Sequence, residues 1–225
     1  MPSSQFQQQH PLIYLITSGE TTEQTTPATE DFADLLKLVH AAVVAGIDLV
    51  QIREKQLTGR VLFELSKSAA EISHGTATKL LINDRADIAA AAGADGVHLT
   101  TSSLPTPAVR QTFGEEFLVG VSTHSLEEAN AARENGADFV VYGPIFHTPA
   151  KSEYGDPKGI DGLANVAAAL APCLVLALGG VTKDTVEACL NAGARGVAAI
   201  GMLQQTDRLA ELTKKVHAMT LKTKR

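Results

Sequence analysis

Ala45-Gly46-Ile47-Asp48-Leu49-Val50 is the first of four versions of one phrase. It returns as Ala92-Gly93-Ala94-Asp95-Gly96-Val97, Asn135-Gly136-Ala137-Asp138-Phe139-Val140 and Ala192-Gly193-Ala194-Arg195-Gly196-Val197. In each, a helix-like stretch ends at a glycine, the residue that takes the left-handed C-cap conformation without steric penalty, and an apolar strand-like run follows. Each interval between phrases holds one further strand-like run, so the basic unit is one strand followed by one helix.

Working outward from the phrase, the apolar runs are Leu12–Thr17, Leu49–Arg53, Lys79–Asn83, Gly96–Thr100, Phe117–Ser122, Phe139–Gly143, Cys173–Leu178 and Gly196–Gly201. Helical patterns lie between them. Leu35, Val39, Ala42 and Val43 fall on one helical face, and Ser125 with Glu128 has the spacing of a capping box. Continuously apolar strands are buried on both faces, and an open sheet would need less apolar edge strands. The pattern therefore predicts an α/β protein with one closed (β/α)₈ TIM barrel over residues 12–221, preceded by a flexible polar tail over residues 1–11. In this architecture chemistry sits at the C-terminal ends of the strands.

The composition excludes several other classes. Hydrophobic residues make up 44% of the 225 and charged residues 20%, enough apolar material for a core and too little charge for wholesale disorder. Net charge is −6 and the pI about 5.6, against a broad basic surface for nucleic acid. The uncharged stretch Gly162–Thr182 has the length of a membrane span, but Pro172 and Gly179-Gly180 divide it into helix, turn and buried strand. Cys173 and Cys189 are too few for a disulfide scaffold and read as reduced, packed thiols. With no secretory signal pattern at the N-terminus, a cytoplasmic enzyme without nucleic-acid or membrane partners is expected.

Polar residues at the strand ends are the candidates for chemistry. Gln51, Arg53 and Lys55 alternate onto one face if the second strand continues, giving a basic pair suited to phosphate or diphosphate; a strand end salt-bridged through Glu54 is the alternative. Asn83 and Asp84 close the third strand, where Asp84 has the chemistry to hold a hard cation or to cap the next helix. Ser122 and His124 close the fifth strand. His124 is either a proton shuttle or a hydrogen-bonded structural residue, whereas His98 on the fourth strand reads as packing. Neither histidine has a metal-ligand partner at close sequence spacing, so no zinc centre is expected. Thr148 and Lys151 lie in a long loop, Pro144 to Asp161, that is either a lid or a solvated connection. Gly180 and Gly201 follow the last two strands, where backbone N–H groups can approach a phosphate.

The ordered set Gln-Ile-Arg-Glu-Lys, Leu-Ile-Asn-Asp-Arg, Gly-Ala-Asp-Gly-Val-His-Leu, Gly-Val-Ser-Thr-His-Ser-Leu-Glu-Glu-Ala, Tyr-Gly-Pro-Ile-Phe-His-Thr-Pro-Ala-Lys and Leu-Gly-Gly-Val resembles the thiamine phosphate synthase family. The resemblance implies a transferase in thiamine biosynthesis. Its substrates would be hydroxymethylpyrimidine diphosphate and a hydroxyethylthiazole phosphate, its products thiamine phosphate and diphosphate. It further implies Mg²⁺ as cofactor and a homodimer. Carried over residue by residue, Gln51, Arg53, Lys55 and Asn83 hold the diphosphate and Asp84 the Mg²⁺. Lys151 neutralises leaving-group charge, Ser122 lines the pyrimidine pocket, and Thr148 with Gly180 holds the thiazole phosphate.

The sequence departs from the family pattern at three positions. Ser103 stands where synthases have a second Mg²⁺ carboxylate, Ala150 where a Thr is common before the Lys, and Gly201 where a phosphate-binding Ser is frequent. The related thiazole tautomerases need neither diphosphate nor Mg²⁺ and use the His that corresponds to His124, so tautomerisation is the alternative activity. A non-catalytic barrel that binds a thiamine precursor is the third reading.

Overall fold

The computed structural model describes residues 6, 8–100, 102–147 and 156–221. Eight parallel strands pair in chain order and close on themselves: β1 (Leu12–Ile16), β2 (Leu49–Ile52), β3 (Lys79–Asn83), β4 (Gly96–Leu99), β5 (Leu118–Thr123), β6 (Phe139–Tyr142), β7 (Leu174–Leu178) and β8 (Gly196–Ala199). They are the eight runs read from the sequence, trimmed or shifted by one or two residues. Helices α1 (Glu30–Ala45), α2 (Gly59–Ser73), α3 (Ala86–Ala92), α4 (Thr106–Phe113), α5 (Leu126–Glu134), α6 (Gly159–Leu170), α7 (Val186–Asn191) and α8 (Leu209–His217) alternate with them.

Strand residues alternate between two cores. Leu12, Tyr14, Leu49, Leu81, Leu118, Phe139, Leu176 and Ala198 fill the barrel interior, while Ile13, Val50, Leu80, Val97, Val119 and Val140 meet the helices. With few aromatics available, the interior is packed by Tyr14, His98 and Phe139 meeting in tilted and edge-on contacts. Gly120 leaves the room for this: a Cβ there would lie 2.3 Å from Phe139 Cζ and 2.8 Å from His98 Nδ1.

The recurring phrase has a physical basis at the N-terminal face. Its aspartate sits just before an even strand and accepts a backbone N–H of the preceding odd strand. Ile13 N–H donates to Asp48 Oδ2 (2.9 Å), Leu80 N–H to Asp95 Oδ2 (2.8 Å) and Val119 N–H to Asp138 Oδ2 (2.7 Å). These carboxylates satisfy strand-end donors that would otherwise be left unpaired at the sheet's entrance. A cation balances two of them: the Lys79 ammonium lies 2.9 Å from Asp95, and the Arg110 guanidinium 2.6 Å from Asp138. Burial nevertheless pushes the Asp138 carboxyl above its ordinary range, outweighing the hydrogen bonds and charge of Arg110.

In the fourth phrase Arg195 replaces the aspartate and donates outward, to the carbonyls of His10 and Gln8. This anchors part of the segment expected to fray. Phe6 packs edge-on against Phe139 at the base of the interior, Pro11 is buried, and the His10 ring stacks on His217 of α8. The polar composition of the tail missed these contacts because they rest on backbone carbonyls and a single aromatic.

Gly162–Thr182 forms α6, a turn at Pro172, and β7, as its breakers predict. Among the described residues no helix is long and apolar enough to cross a membrane. The loop from Pro144 is shorter than read, because α6 begins at Gly159 rather than after Asp161. Its base is tied by Lys158 N–H to Pro144 O (2.8 Å) and Gly159 N–H to Ile145 O (3.1 Å). Cys173 lies half-buried just outside β7, and Cys189 is fully buried, its thiol pushed up to about 11 by desolvation.

Candidate active site

Inward-facing polar side chains form the floor of the C-terminal mouth. Gln51 and Asn83 face inward by alternation from Leu49 and Leu81. Gln51 is 1% exposed, and its Nε2 has no hydrogen-bond partner among the described residues. An unpaired buried amide costs about 1–3 kcal/mol, a cost that a bound acceptor removes.

Beside it, three strands meet in a relay: Tyr14 Oη lies 3.2 Å from His98 Nδ1, and His98 Nε2 lies 2.8 Å from Ser122 Oγ. Burial pushes the Tyr14 phenol well above its usual range, so it keeps its proton. The two ring nitrogens of His98 therefore face a hydroxyl on either side, Tyr14 at Nδ1 and Ser122 at Nε2, which fixes the imidazole and positions Ser122. His98 thus does more than fill space. Tyr14 gave no polar signal in the sequence because it stands inside the apolar run Leu12–Ile16.

Strand β2 ends at Ile52, before the basic pair. Arg53 continues the chain at the rim, its N–H donating to Thr17 Oγ1 at 2.8 Å. Among the described residues no carboxylate lies within ion-pair distance of Arg53 or Lys55. Glu54 is not their counter-ion. It is buried and accepts from Gly19 N–H (3.1 Å), Thr21 N–H (3.3 Å) and Thr21 Oγ1 (2.7 Å), fixing the loop after β1. The alternative of a strand end salt-bridged through Glu54 is therefore not what forms, and neither cation has a described carboxylate partner.

Asp84 follows β3 with φ 64°, among the described residues the one non-glycine with positive φ, and its N–H donates to His98 O at 2.8 Å. Such strained backbone collects where a side chain must be aimed. Asp84 does not cap α3: the position before that helix is Arg85, with no side-chain cap, and Arg85 turns to Asp87 through bonds of 2.8 and 2.6 Å. Ser103, in the place of the second carboxylate, accepts Thr100 N–H at 2.7 Å and lies 3.0 Å from Thr100 Oγ1. The oxygens offered here are one carboxylate, the Asn83 amide and neutral hydroxyls. That set fits a hard cation which keeps waters and takes its remaining ligands from substrate phosphates.

His124 stands directly behind β5. Glu128 Oε2 accepts its backbone N–H at 2.6 Å and lies 3.3 Å from Nδ1, while Ser125 Oγ accepts Glu128 N–H at 3.1 Å. The capping box read from the sequence is present, displaced by one residue so that it also orients the imidazole.

Gly180 and Gly201 come together in a cavity of about 750 Å³ beyond β7 and β8, which also carries Ser18, His147 and Lys183. Gly180 has φ 64°, and a Cβ on it would come within 2.7 Å of Phe146 Cβ and 2.8 Å of His147 O. A second cavity of about 520 Å³ shares Ser18 and Glu20 with the first and reaches Glu54. Arg53 and Asp84 line neither. They belong to the adjacent β2–β3 sector of the same rim, with Ser122 and His124 beyond β4. Thr148, Ala150 and Lys151 lie outside the described residues.

At Gly201 nothing lies within 4 Å of a built Cβ. We therefore expect Gly201→Ser to fold with a stability change within about 0.5 kcal/mol. The added hydroxyl donor should lower the KM for a phosphate-bearing substrate by roughly 3- to 10-fold, the worth of a net hydrogen bond. Thermal melting and steady-state kinetics check both parts.

A family model described as thiamine monophosphate synthase matches residues 14–203. A thiamine-phosphate synthase from Anaeromyxobacter dehalogenans (strain 2CP-C) is 43% identical over 168 residues, 75% of this chain and 75% of its own. Another, from Chlorobium luteolum (strain DSM 273 / BCRC 81028 / 2530), is 35% identical over 209 residues, 93% of this chain and 92% of its own. The solved thiamine phosphate pyrophosphorylase from Pyrococcus furiosus superposes with a TM-score of 0.74 at 26% identity, covering 91% of this chain and 96% of that one. With a closed barrel, candidate groups at the C-terminal strand ends and a family match spanning β1 to β8, the chain belongs to the thiamine monophosphate synthase family.

Proposed function

We propose that this chain is an active, Mg²⁺-dependent thiamine-phosphate synthase that joins hydroxymethylpyrimidine diphosphate to a hydroxyethylthiazole phosphate. The observation that carries the reading is the pair Arg53 and Lys55, which no described carboxylate neutralises, standing beside Asn83 and Asp84 on neighbouring strand ends. The bond between the pyrimidine methylene carbon and the diphosphate oxygen breaks, and its electron pair leaves with the diphosphate. The thiazole nitrogen then supplies the pair that forms the new carbon–nitrogen bond. Negative charge grows on the leaving oxygen as the first bond breaks. Cations already in place there lower the barrier without reorganising.

In this reading Gln51, Arg53, Lys55 and Asn83 hold the diphosphate, and Gln51 Nε2 gains the acceptor it otherwise lacks. Ser122, held by His98 and Tyr14, presents its hydroxyl to the pyrimidine. Gly180 and Thr148 seat the thiazole phosphate, Lys151 adds charge from the loop, and His124 borders the reacting nitrogen. Asp84 and Asn83 would hold Mg²⁺, whose charge would offset that of the phosphates. A cytoplasmic homodimer belongs to the same reading, and sedimentation of the purified protein tests the dimer.

The deciding experiment incubates the chain with both precursors and Mg²⁺ and follows thiamine phosphate, with the unaromatised thiazole phosphate supplied in parallel. Thiamine phosphate formed only when both precursors are present supports the proposal. Aromatisation without coupling assigns the chain to tautomerisation, and saturable binding without turnover to a silent barrel.

Ser103→Asp supplies the second carboxylate and still accepts Thr100 N–H. We expect half-maximal activity at roughly tenfold less Mg²⁺, about 1.4 kcal/mol of added cation binding. An unchanged Mg²⁺ titration counts against coordination at Asp84.

A further inference from the structure

At the opposite end of the barrel, the aspartate of the first phrase has surroundings unlike those of its counterparts. Asp95 faces the Lys79 ammonium and Asp138 the Arg110 guanidinium, both permanent cations. Asp48, whose side chain is 6% exposed, faces two imidazoles instead: His217 Nε2 lies 3.0 Å from Oδ2, and His10 Nδ1 3.8 Å from Oδ1. The two rings stack with centroids 3.8 Å apart and planes inclined by 30°. One ligand atom from each of the three residues lies within 4.8 Å of the others, among the described residues the one such group of histidine, cysteine and carboxylate side chains.

We propose that His10, Asp48 and His217 form a binding site for one divalent transition-metal ion of the zinc class. Two imidazoles and one carboxylate are a donor set that zinc, nickel or copper takes readily, with remaining positions left to water. A metal ion would bring together at one centre the ring nitrogens and carboxylate oxygens that already face one another. Arg195, the fixed cation nearby, has its guanidinium committed to the carbonyls of His10 and Gln8. Asp48 is held by Ile13 N–H, so one of the three ligands is already set by the β1–β2 ladder.

The three ligands come from before β1, before β2 and from the last turn of α8. An ion there would fasten the described N-terminal segment to the C-terminal helix. The site lies on the face away from the strand ends that carry the proposed chemistry, and it is distinct from the hard-cation position at Asp84.

The test titrates the full chain, without an affinity tag, with Zn²⁺ by calorimetry and follows melting with and without Zn²⁺. We expect one saturable equivalent and a melting temperature that climbs with Zn²⁺ concentration. His217→Gln and His10→Gln should each weaken binding by at least about tenfold, since even groups one shell further out cost that much. The double variant should lose the high-affinity equivalent and the melting shift. No saturable binding by the parent, or equal affinity in the double variant, overturns the proposal. Should a variant fail to fold, the absorption spectrum of the Co²⁺-loaded parent decides. Bands of a low-coordinate site with nitrogen ligands support the assignment, and the spectrum of hydrated Co²⁺ refutes it.

Discussion

Arg53→Ala lowers kcat/KM for coupling by about 100- to 1,000-fold, the loss seen when one preorganised group is removed from developing negative charge. Its melting temperature stays close to the parent's, because the side chain is partly exposed at the rim and forms no ion pair with a described residue. The backbone there is fixed independently by Thr17 Oγ1. Arg53→Lys restores only part of the rate: an ammonium keeps the charge but loses the planar fork that grips two phosphate oxygens at once. The comparison is made by steady-state kinetics with each substrate varied in turn. Parent-like kcat/KM in Arg53→Ala would remove the guanidinium from the proposed reaction, while the family assignment, which rests on the whole chain, would stand.

The second large effect is expected deep in the barrel. In Gly120→Ala the new methyl must displace the Phe139 ring or the His98 imidazole, since its carbon would sit 2.3 Å from Phe139 Cζ and 2.8 Å from His98 Nδ1. Neither can yield freely: Phe139 is wedged between Phe6 and Tyr14, and His98 is bonded to both Tyr14 and Ser122. Overpacking of this kind costs about 1–3 kcal/mol. For a chain of this size the melting temperature should fall by roughly 2–12 °C, at about 2–4 °C per kcal/mol. The KM for the pyrimidine diphosphate should rise as well, because the shifted imidazole no longer holds Ser122. Gly201→Ala, with nothing within 4 Å of its Cβ, is the control that should melt with the parent. A Gly120→Ala protein that melts and turns over like the parent would mean that the interior is more yielding than its contacts imply.

The legibility of this molecule divides along a physical line. Strands buried on both faces are continuous apolar runs, and left-handed glycines such as Gly46 (φ 75°) and Gly93 (φ 77°) punctuate the helices before them, so fold and strand order could be read directly. The rim residues were legible because a parallel barrel brings all its strand ends to one side. What local spacing could not reveal are contacts assembled from distant strands. The Tyr14–His98–Ser122 relay draws on β1, β4 and β5, and the phrase's aspartates serve a neighbouring strand rather than their own. Glu54 misled for the same reason: flanked by Arg53 and Lys55 in sequence, it turns to backbone amides beyond β1. His10, Asp48 and His217 span nearly the whole chain, and no short motif encloses them.

The ring of Phe6 beneath Phe139 and Tyr14 bears on molecular traffic. Among the described residues the base is stoppered and the lumen filled, so molecules that enter at the mouth depart by the same route. Two reactants and two products then share one queue. Where one molecule seats beneath another, the deeper one is the last able to leave.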